Sequence, residues 1–255
     1  MVSPKAKRRF SQNFLRDPLI VEEIVEAGSF SSHDRVIEIG PGYGALTCEL
    51  LKKVSALTAI EVDRDAVHYL RSHFEAERLR VIETDCLDVN FSHFGVSLRL
   101  LGNLPYHIST PILFHVDSKI ECIRDAIFML QREVVDRIVA APGSAEYGKL
   151  SITLQLGWEL EKLFDVPPEA FQPAPKVWSS ILHLKPRAKP YNVNRATFQR
   201  IVFGAFSKRR KTLRNALKGV VSSEQFILAD IDPARRPETL SVDDYVRLSN
   251  VVFKD

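Results

Sequence analysis

What this chain of 255 residues has little of narrows its class first. No run of 18 or more apolar residues occurs, so no segment reads as a membrane-spanning helix. The N-terminus, "MVSPKAKRRFSQNF", is basic but carries no apolar stretch of the secretory kind. The segment before Arg8 is too short for a transit peptide, so the expected location is the cytoplasm, with no membrane partner. Cysteine is scarce. Cys48, Cys86 and Cys122 stand 38 and 36 residues apart, which fits neither CxxC metal spacing nor a disulfide framework. Idle thiols in a reducing compartment and no bound metal are expected. Internal repeats and low-complexity tracts are missing as well.

Acid is missing from two whole segments. Residues 1–16 carry five Lys/Arg and no Asp or Glu, and residues 185–218 carry eleven and none. The other 205 residues hold 19 basic side chains against 32 acidic ones, so a net charge of +3 conceals an acidic body with two basic patches. That segregation is the footprint of a polyanion binder. Its candidate phosphate contacts are Arg8 and Arg9 in the first patch, and Lys208, Arg209, Arg210, Lys211 and Arg214 in the second.

With 45% apolar residues the chain can bury a sizeable core, as one large domain or two modest ones. From Arg35 to about Gln131, short β-branched runs alternate with helical stretches: "RVIEIG", "ALTCELLKKV", "ALTAIEVD", "RDAVHYLRSHF", "RVIETDCL", "LRLLGNLP", "PILFHVDSK" and "DAIFMLQ". Repeated βα units predict an α/β, Rossmann-like fold with a mostly parallel sheet. "VVDRIVAA" reads as a helix closed by "PGSAEYG". "ELEKLFDVP" and "VWSSILHLKP" read as two strands around a proline-rich loop, an antiparallel finish to the sheet. After residue 190 only helical spacing remains. The expected division is therefore 1–190, an α/β domain with a basic arm, and 191–255, a small all-helical domain carrying most of the second basic patch.

"EIGPGYGALT" puts Gly40, Gly42 and Gly44 at the tip of the first strand of this series. Glycine there lets the backbone turn sharply and approach a ligand closely. Glu61 ends the next strand, 21 residues after Gly40, where a carboxylate can accept from a ribose diol. Asp85 ends the third, placed to accept from an adenine amine, and Asn103 ends the fourth. Taken singly, each acid reads equally well as a helix cap. Together the four predict a nucleoside-bearing ligand. A dinucleotide would want G-x-G-x-x-G, and here the third glycine comes one residue early, which favours S-adenosylmethionine.

"GNLPYHIS" then suggests the chemistry. The amino group on a base ring is a poor nucleophile because its lone pair is delocalised. The Asn103 side-chain oxygen and the Leu104 backbone carbonyl, shaped by Pro105, are placed to accept its two hydrogens and localise the pair. Tyr106 is placed to stack on an extruded base, and Phe171, before the Pro173–Pro175 loop, to close on its other face. On this reading the Tyr106 ring does the holding, and Tyr106→Phe is expected to be nearly silent. Trp178 reads as packing.

Beyond these local readings, "FSQNFL", "VIEIGPGYGALT", "AIEVD", "GNLPYHIST", "LQREVVDRI", "YGKLS", "FQPAPKVWSS" and "KRRKTLRNAL" resemble, in order, the KsgA-type ribosomal RNA adenine dimethyltransferases. The resemblance runs over nearly the whole chain. It implies an S-adenosylmethionine-dependent methyltransferase fold of seven strands with a C-terminal helical domain. The implied reaction is N(6),N(6)-dimethylation of two adjacent adenines in a small-subunit rRNA hairpin, late in assembly of the subunit, by a monomer. It also implies roles: Asn13 and Leu15 at the methionine side of the cofactor, Gly40 beneath it, Glu61 at the ribose, Asp85 at the adenine amine, Asn103 at the reactive end, and Tyr106 and Phe171 as base-stacking rings. Tyr43 departs from the family pattern, where leucine is usual. Two alternatives stay open at this point. One is a large-subunit rRNA adenine methyltransferase conferring antibiotic resistance; the other is a non-catalytic assembly or transcription factor on the same fold. DNA methylation is disfavoured, because Leu104 stands where such enzymes usually carry proline.

Overall fold

A computed structural model describes residues 13–208 and 210–254. The described residues open with a two-residue strand, β1 (Phe14–Leu15), and a helix, α1 (Pro18–Gly28). Asp17 caps that helix, its Oδ1 accepting the Leu19 and Ile20 N–H groups at 2.9 and 3.4 Å, and Pro18 supplies the preset φ of the first turn. The alternating series follows: β2 (Arg35–Ile39), α2 (Ala45–Leu50), β3 (Leu57–Glu61), α3 (Arg64–His73), β4 (Leu79–Glu83), β5 (Leu98–Asn103), α4 (Ser109–Asp117), β6 (Ile123–Gln131) and α5 (Arg132–Val139). After these come α6 (Lys149–Gly157), β7 (Trp158–Val166), β8 (Phe171–Gln172) and β9 (Ser179–Pro186). The remainder is helical: α7 (Arg195–Ser207), α8 (Leu213–Ala216), α9 (Ser223–Leu228) and α10 (Val242–Lys254).

Seven strands form one sheet in the order β4-β3-β2-β5-β6-β9-β7. The first five are mutually parallel, and β9 runs antiparallel to β6. The inner strands β2, β3, β5 and β6 are largely buried and read as near-continuous apolar runs, as covered parallel strands do. Val36, Leu57, Ala59, Leu101, Ile127, Met129 and Ile181 share one cluster with Val21, Ile24 and Val25 of α1 and Leu46 and Leu50 of α2. The chain steps outward from β2 through β3 to β4, then returns to start β5 on the other side of β2. That reversal opens a crevice at the carboxyl end of β2, which is where ligands bind in open α/β sheets.

A separate pair, β1 with β8, joins Leu15 to Phe171 and Phe14 to Gln172. This strap lies outside the periodic pattern that exposes the main strands in sequence.

Contacts divide the chain into two units, one running to Val135 and resuming at Glu161–Pro186, the other taking Asp136–Leu160 and everything from Arg187. The boundary expected after residue 190 therefore does not describe the division. Tyr147, Ile152 and Leu156 share a buried apolar cluster with Phe198, Ile201, Leu217, Phe226 and Tyr245, so the segment around α6 belongs with the C-terminal helices. None of the described helices is long and apolar enough to cross a membrane.

Candidate active site

The carboxyl ends of β2, β3 and β5, with the turn after β4, line a cleft of about 1590 Å³. Its walls include Asn13, Leu15, Gly40, Gly42, Glu61, Asp85, Asn103, Leu104 and Tyr106, so nine of the side chains and glycines singled out in the sequence meet in one place.

The loop after β2 is shaped by glycine where no other residue would sit without strain. Gly40 and Gly42 have φ of +68° and +56°. A Cβ on Gly42 would also stand 3.3 Å from the Phe14 ring of the strap. In this conformation the Gly42 N–H donates to Glu61 Oε2 at 3.0 Å, while the Val62 and Asp63 N–H groups donate to Oε1 at 2.9 and 2.8 Å. Glu61 is 6% exposed; burial raises its pKa and the three N–H donors oppose that rise. The bonds from Val62 and Asp63 fill both lone pairs of Oε1, leaving one on Oε2. Glu61 is thus set to accept one further donor from the cleft.

Asp85 is exposed and caps the short turn Cys86–Asp88, with Oδ1 accepting the Leu87 N–H at 2.9 Å. It serves as a cap, and it also lines the cleft.

Glu38, not singled out in the sequence, is the most unusual group in the cleft wall. It is 1% exposed, its Oε2 accepts the Thr47 hydroxyl at 2.6 Å, and its Oε1 has no partner among the described residues. Burial pushes its carboxyl up to about 8, the Thr47 hydroxyl opposes the rise, and the nearby Glu61 charge adds to it. A signal was available: Glu38 is a carboxylate inside the otherwise apolar run "VIEIG". An unpartnered carboxyl oxygen in a cleft wall is available to a polar or charged group that enters the cleft.

At the reactive end, the Asn103 Nδ2 donates to the Asn13 carbonyl at 3.1 Å. That bond fixes which way the amide points. It ties Asn103 to the strap and leaves Oδ1 as an acceptor. The Leu104 N–H is held by the Met129 carbonyl at 3.2 Å, setting the turn that Pro105 continues. Tyr106 is half-buried, with its hydroxyl 2.7 Å from Ser179 Oγ and its carbonyl accepting from Ser109 Oγ at 3.0 Å. Burial raises the Tyr106 pKa and the Ser179 hydrogen bond opposes the rise, so the phenol keeps its proton.

Phe171 is placed otherwise than expected. It is 5% exposed and packs in the main core with Leu15, Ala170 and Ile181. It presents no open ring face, so of the expected pair of stacking rings only Tyr106 offers one. The reason is the strap: pairing β1 with β8 seats Leu15 and Phe171 together against the core. Trp178 is also displaced from its expected role. It is 43% exposed, with the Arg132 guanidinium 5.6 Å from its ring centroid, and does not serve as core packing. Tyr43, at the loop tip, meets Phe14 and Tyr69 edge-on at 5.3 and 5.2 Å, bridging the strap and α3.

Lys208, Arg210, Lys211 and Arg214 are exposed, and among the described residues none of them forms an ion pair. Arg8, Arg9 and Arg209 lie outside the described residues. Among the described residues no group of three or more His, Cys, Asp or Glu is placed to hold a metal.

The model of one family, ribosomal RNA adenine dimethylase, matches residues 3–254. A ribosomal RNA small subunit methyltransferase A of Legionella pneumophila is 49% identical over 249 residues, covering 96% of this chain and 97% of that one. A protein of the same name from Bordetella pertussis is 46% identical over 257 residues, covering 99% and 96%. Among solved structures, a dimethyladenosine transferase from Plasmodium falciparum superposes with a TM-score of 0.78 at 26% identity, over 92% of this chain and 95% of that one. The 23S rRNA methyltransferase ErmE superposes with a TM-score of 0.72 at 24% identity, over 94% and 100%, a likeness of fold alone.

Proposed function

The chain belongs to the ribosomal RNA adenine dimethylase family, and from that premise we propose that it transfers methyl groups from S-adenosylmethionine to the N(6) amines of two adjacent adenines in a small-subunit rRNA hairpin. The observation that carries this reading is the Asn103 amide, whose Nδ2 is committed to the Asn13 carbonyl so that Oδ1 remains an acceptor beside Tyr106. The relatives that align over at least 96% of this chain at 46–49% identity are named for the small subunit, which favours that substrate over the large one.

The cleft suits the cofactor. Glycines at positive φ bring the backbone close, Glu61 keeps one acceptor site for a ribose hydroxyl, and Asp85 faces the same space for an adenine amine. The orphaned Glu38 Oε1 suits a cationic ligand, since a positive charge nearby favours the ionised carboxyl that burial disfavours. When bound, the cofactor supplies an electrophilic methyl group on a sulfonium. The chain's part is positioning. Asn103 Oδ1 and the Leu104 carbonyl accept the two hydrogens of the target amine and direct its lone pair outward from the ring plane. Tyr106 stacks on the base, while Phe171 serves from the core as the residue against which the strap is seated. A protonated phenol tied to Ser179 is not a base, and none is needed: the aminium formed on nitrogen loses its proton readily.

The rRNA is engaged within the small subunit, by a monomer in the cytoplasm, through phosphate contacts from Lys208, Arg210, Lys211 and Arg214, which form no ion pair among the described residues, with Arg209 between them in sequence and Arg8 and Arg9 in the N-terminal basic patch. Incubating unmethylated small subunits with labelled S-adenosylmethionine, followed by nucleoside analysis, tests the proposal. N(6),N(6)-dimethyladenosine is expected, and label in any other nucleoside contradicts it. Neutralising Arg210 and Lys211 together is expected to reduce the salt slope of subunit binding by up to about two contacts' worth. An unchanged slope would make the cluster a solvated face.

A further inference from the structure

Tyr106 stands in a turn between β5 and α4, outside any regular element. Rotation about the bond to an aromatic ring is only loosely confined, so a half-open ring in such a turn needs an outside hold to keep one plane. The structure supplies one from 73 residues away. Ser179 is fully buried, and its Oγ lies 2.7 Å from the Tyr106 hydroxyl. It is the first residue of β9, opposite Gln131 in the antiparallel ladder with β6, so its backbone is fixed by the sheet. The Tyr106 carbonyl is tied independently by Ser109 Oγ. Backbone and phenol are therefore held at opposite ends of the residue, with the ring between them lining the cleft. Phenylalanine opposite alanine would fill similar space without the risk of an unsatisfied buried hydroxyl, so packing alone gives no reason for a polar pair here.

We propose that Ser179 is a positioning residue for methyl transfer, its hydroxyl setting the plane of the Tyr106 ring on which the target adenine stacks. The proposal rests on the stacking reading above. It also reverses the expectation that Tyr106→Phe is silent, since losing the hydroxyl cuts the tether.

The test is single-turnover methylation of unmethylated small subunits at saturating S-adenosylmethionine and enzyme, with cofactor affinity measured separately by calorimetry. Ser179→Ala and Tyr106→Phe are each expected to slow the step about two- to tenfold, the scale of one neutral hydrogen bond at about 1.4 kcal/mol per decade. Cofactor affinity is expected to stay unchanged. The double variant is expected to be no slower than the slower single one, because both remove the same bond. Ser179→Thr, which keeps the hydroxyl, is expected to restore most of the rate. Lower melting temperatures with wild-type single-turnover rates would overturn the proposal and make the bond purely structural. Additive losses in the double variant would overturn it too. Tyr106→Ala separates this proposal from its premise. A crippled Tyr106→Ala beside a normal Ser179→Ala sinks only the tether, whereas a normal Tyr106→Ala sinks the stacking reading itself.

Discussion

The two ends of the central sheet solve opposite problems. At the amino ends, Arg99 of β5 is 4% exposed and its guanidinium is fully engaged. Its Nε and Nη2 donate to the two Asp125 oxygens at 2.7 and 2.6 Å, Nη1 donates to Asp34 at 2.9 Å, and Nη2 also reaches the Gly28 carbonyl at 2.6 Å. His183 Nε2 lies 3.2 Å from Asp125, and the Phe30 ring sits 4.3 Å from the guanidinium. At the carboxyl ends, Glu38 keeps an orphaned oxygen, Glu61 a spare lone pair and Asn103 a free amide oxygen. One end satisfies its buried charges internally; the other leaves acceptors waiting. A buried polar group left unpaired costs stability, so its persistence at one end only is a functional signature.

Truncating Arg99 should give the largest effect. Arg99→Ala leaves the buried Asp125 with His183 alone and Asp34 with Arg124 and the Ser31 N–H, and a loss of about 3 kcal/mol of stability is expected, with no selective loss of cofactor affinity in the folded fraction. Chemical denaturation and calorimetric titration read the two quantities. A stable Arg99→Ala protein would mean the amino-end network is not the anchor it looks like.

Glu61→Ala acts at the other end. Cofactor affinity should fall by about 1.5–3 kcal/mol, the scale for hydrogen bonds to a charged group, in a chain that keeps its circular dichroism spectrum. Unchanged affinity would remove Glu61 from the site.

The pH response is the most diagnostic of the comparison, because the two ends carry opposite signatures. Glu38 has its folded pKa raised to about 8 from 4.5, so the stability it contributes is complete below about pH 4.5 and is lost as pH rises towards 8. Asp125 is the reverse. Burial would raise its pKa, but hydrogen bonds from His183 and Arg99 override that and hold it at about 2, so its contribution is present above 3.8 and is lost as pH falls towards 2. Glu38→Gln should therefore flatten the decline of melting temperature between pH 5 and 8, leaving the acid limb alone. Asp125→Asn should do the opposite. Identical profiles for the two variants would erase the distinction between the ends.

Much of this is legible in the sequence. Strand ends follow from βα periodicity, so Glu61, Asp85 and Asn103 could be placed at one edge, and glycine spacing located the loop they surround. What stayed hidden depends on contacts between residues far apart in sequence. The strap joins Leu15 to Phe171 through a strand pair two residues long, too short for any period to reveal, and it turns Phe171 from an expected stacking ring into a core residue. The bond between Tyr106 and Ser179 spans 73 residues, and nothing in "KVWSS" points to "NLPY". The α6 segment lies inside the α/β stretch of sequence but packs with the later helices, because a core is chosen by apolar faces and not by chain order.

On the proposed function, the carboxyl-end cleft separates holding the cofactor from activating the target amine, with Asn103 on the second task. Asn103→Ala in single-turnover methylation of unmethylated small subunits tests it most directly, with cofactor affinity measured in parallel. The account predicts a rate loss of about 100- to 1000-fold, the scale of one aimed polar group in a reacting site, and a change in cofactor affinity below about tenfold. Equal losses in rate and affinity would contradict it, and would make Asn103 one more residue that holds the cofactor.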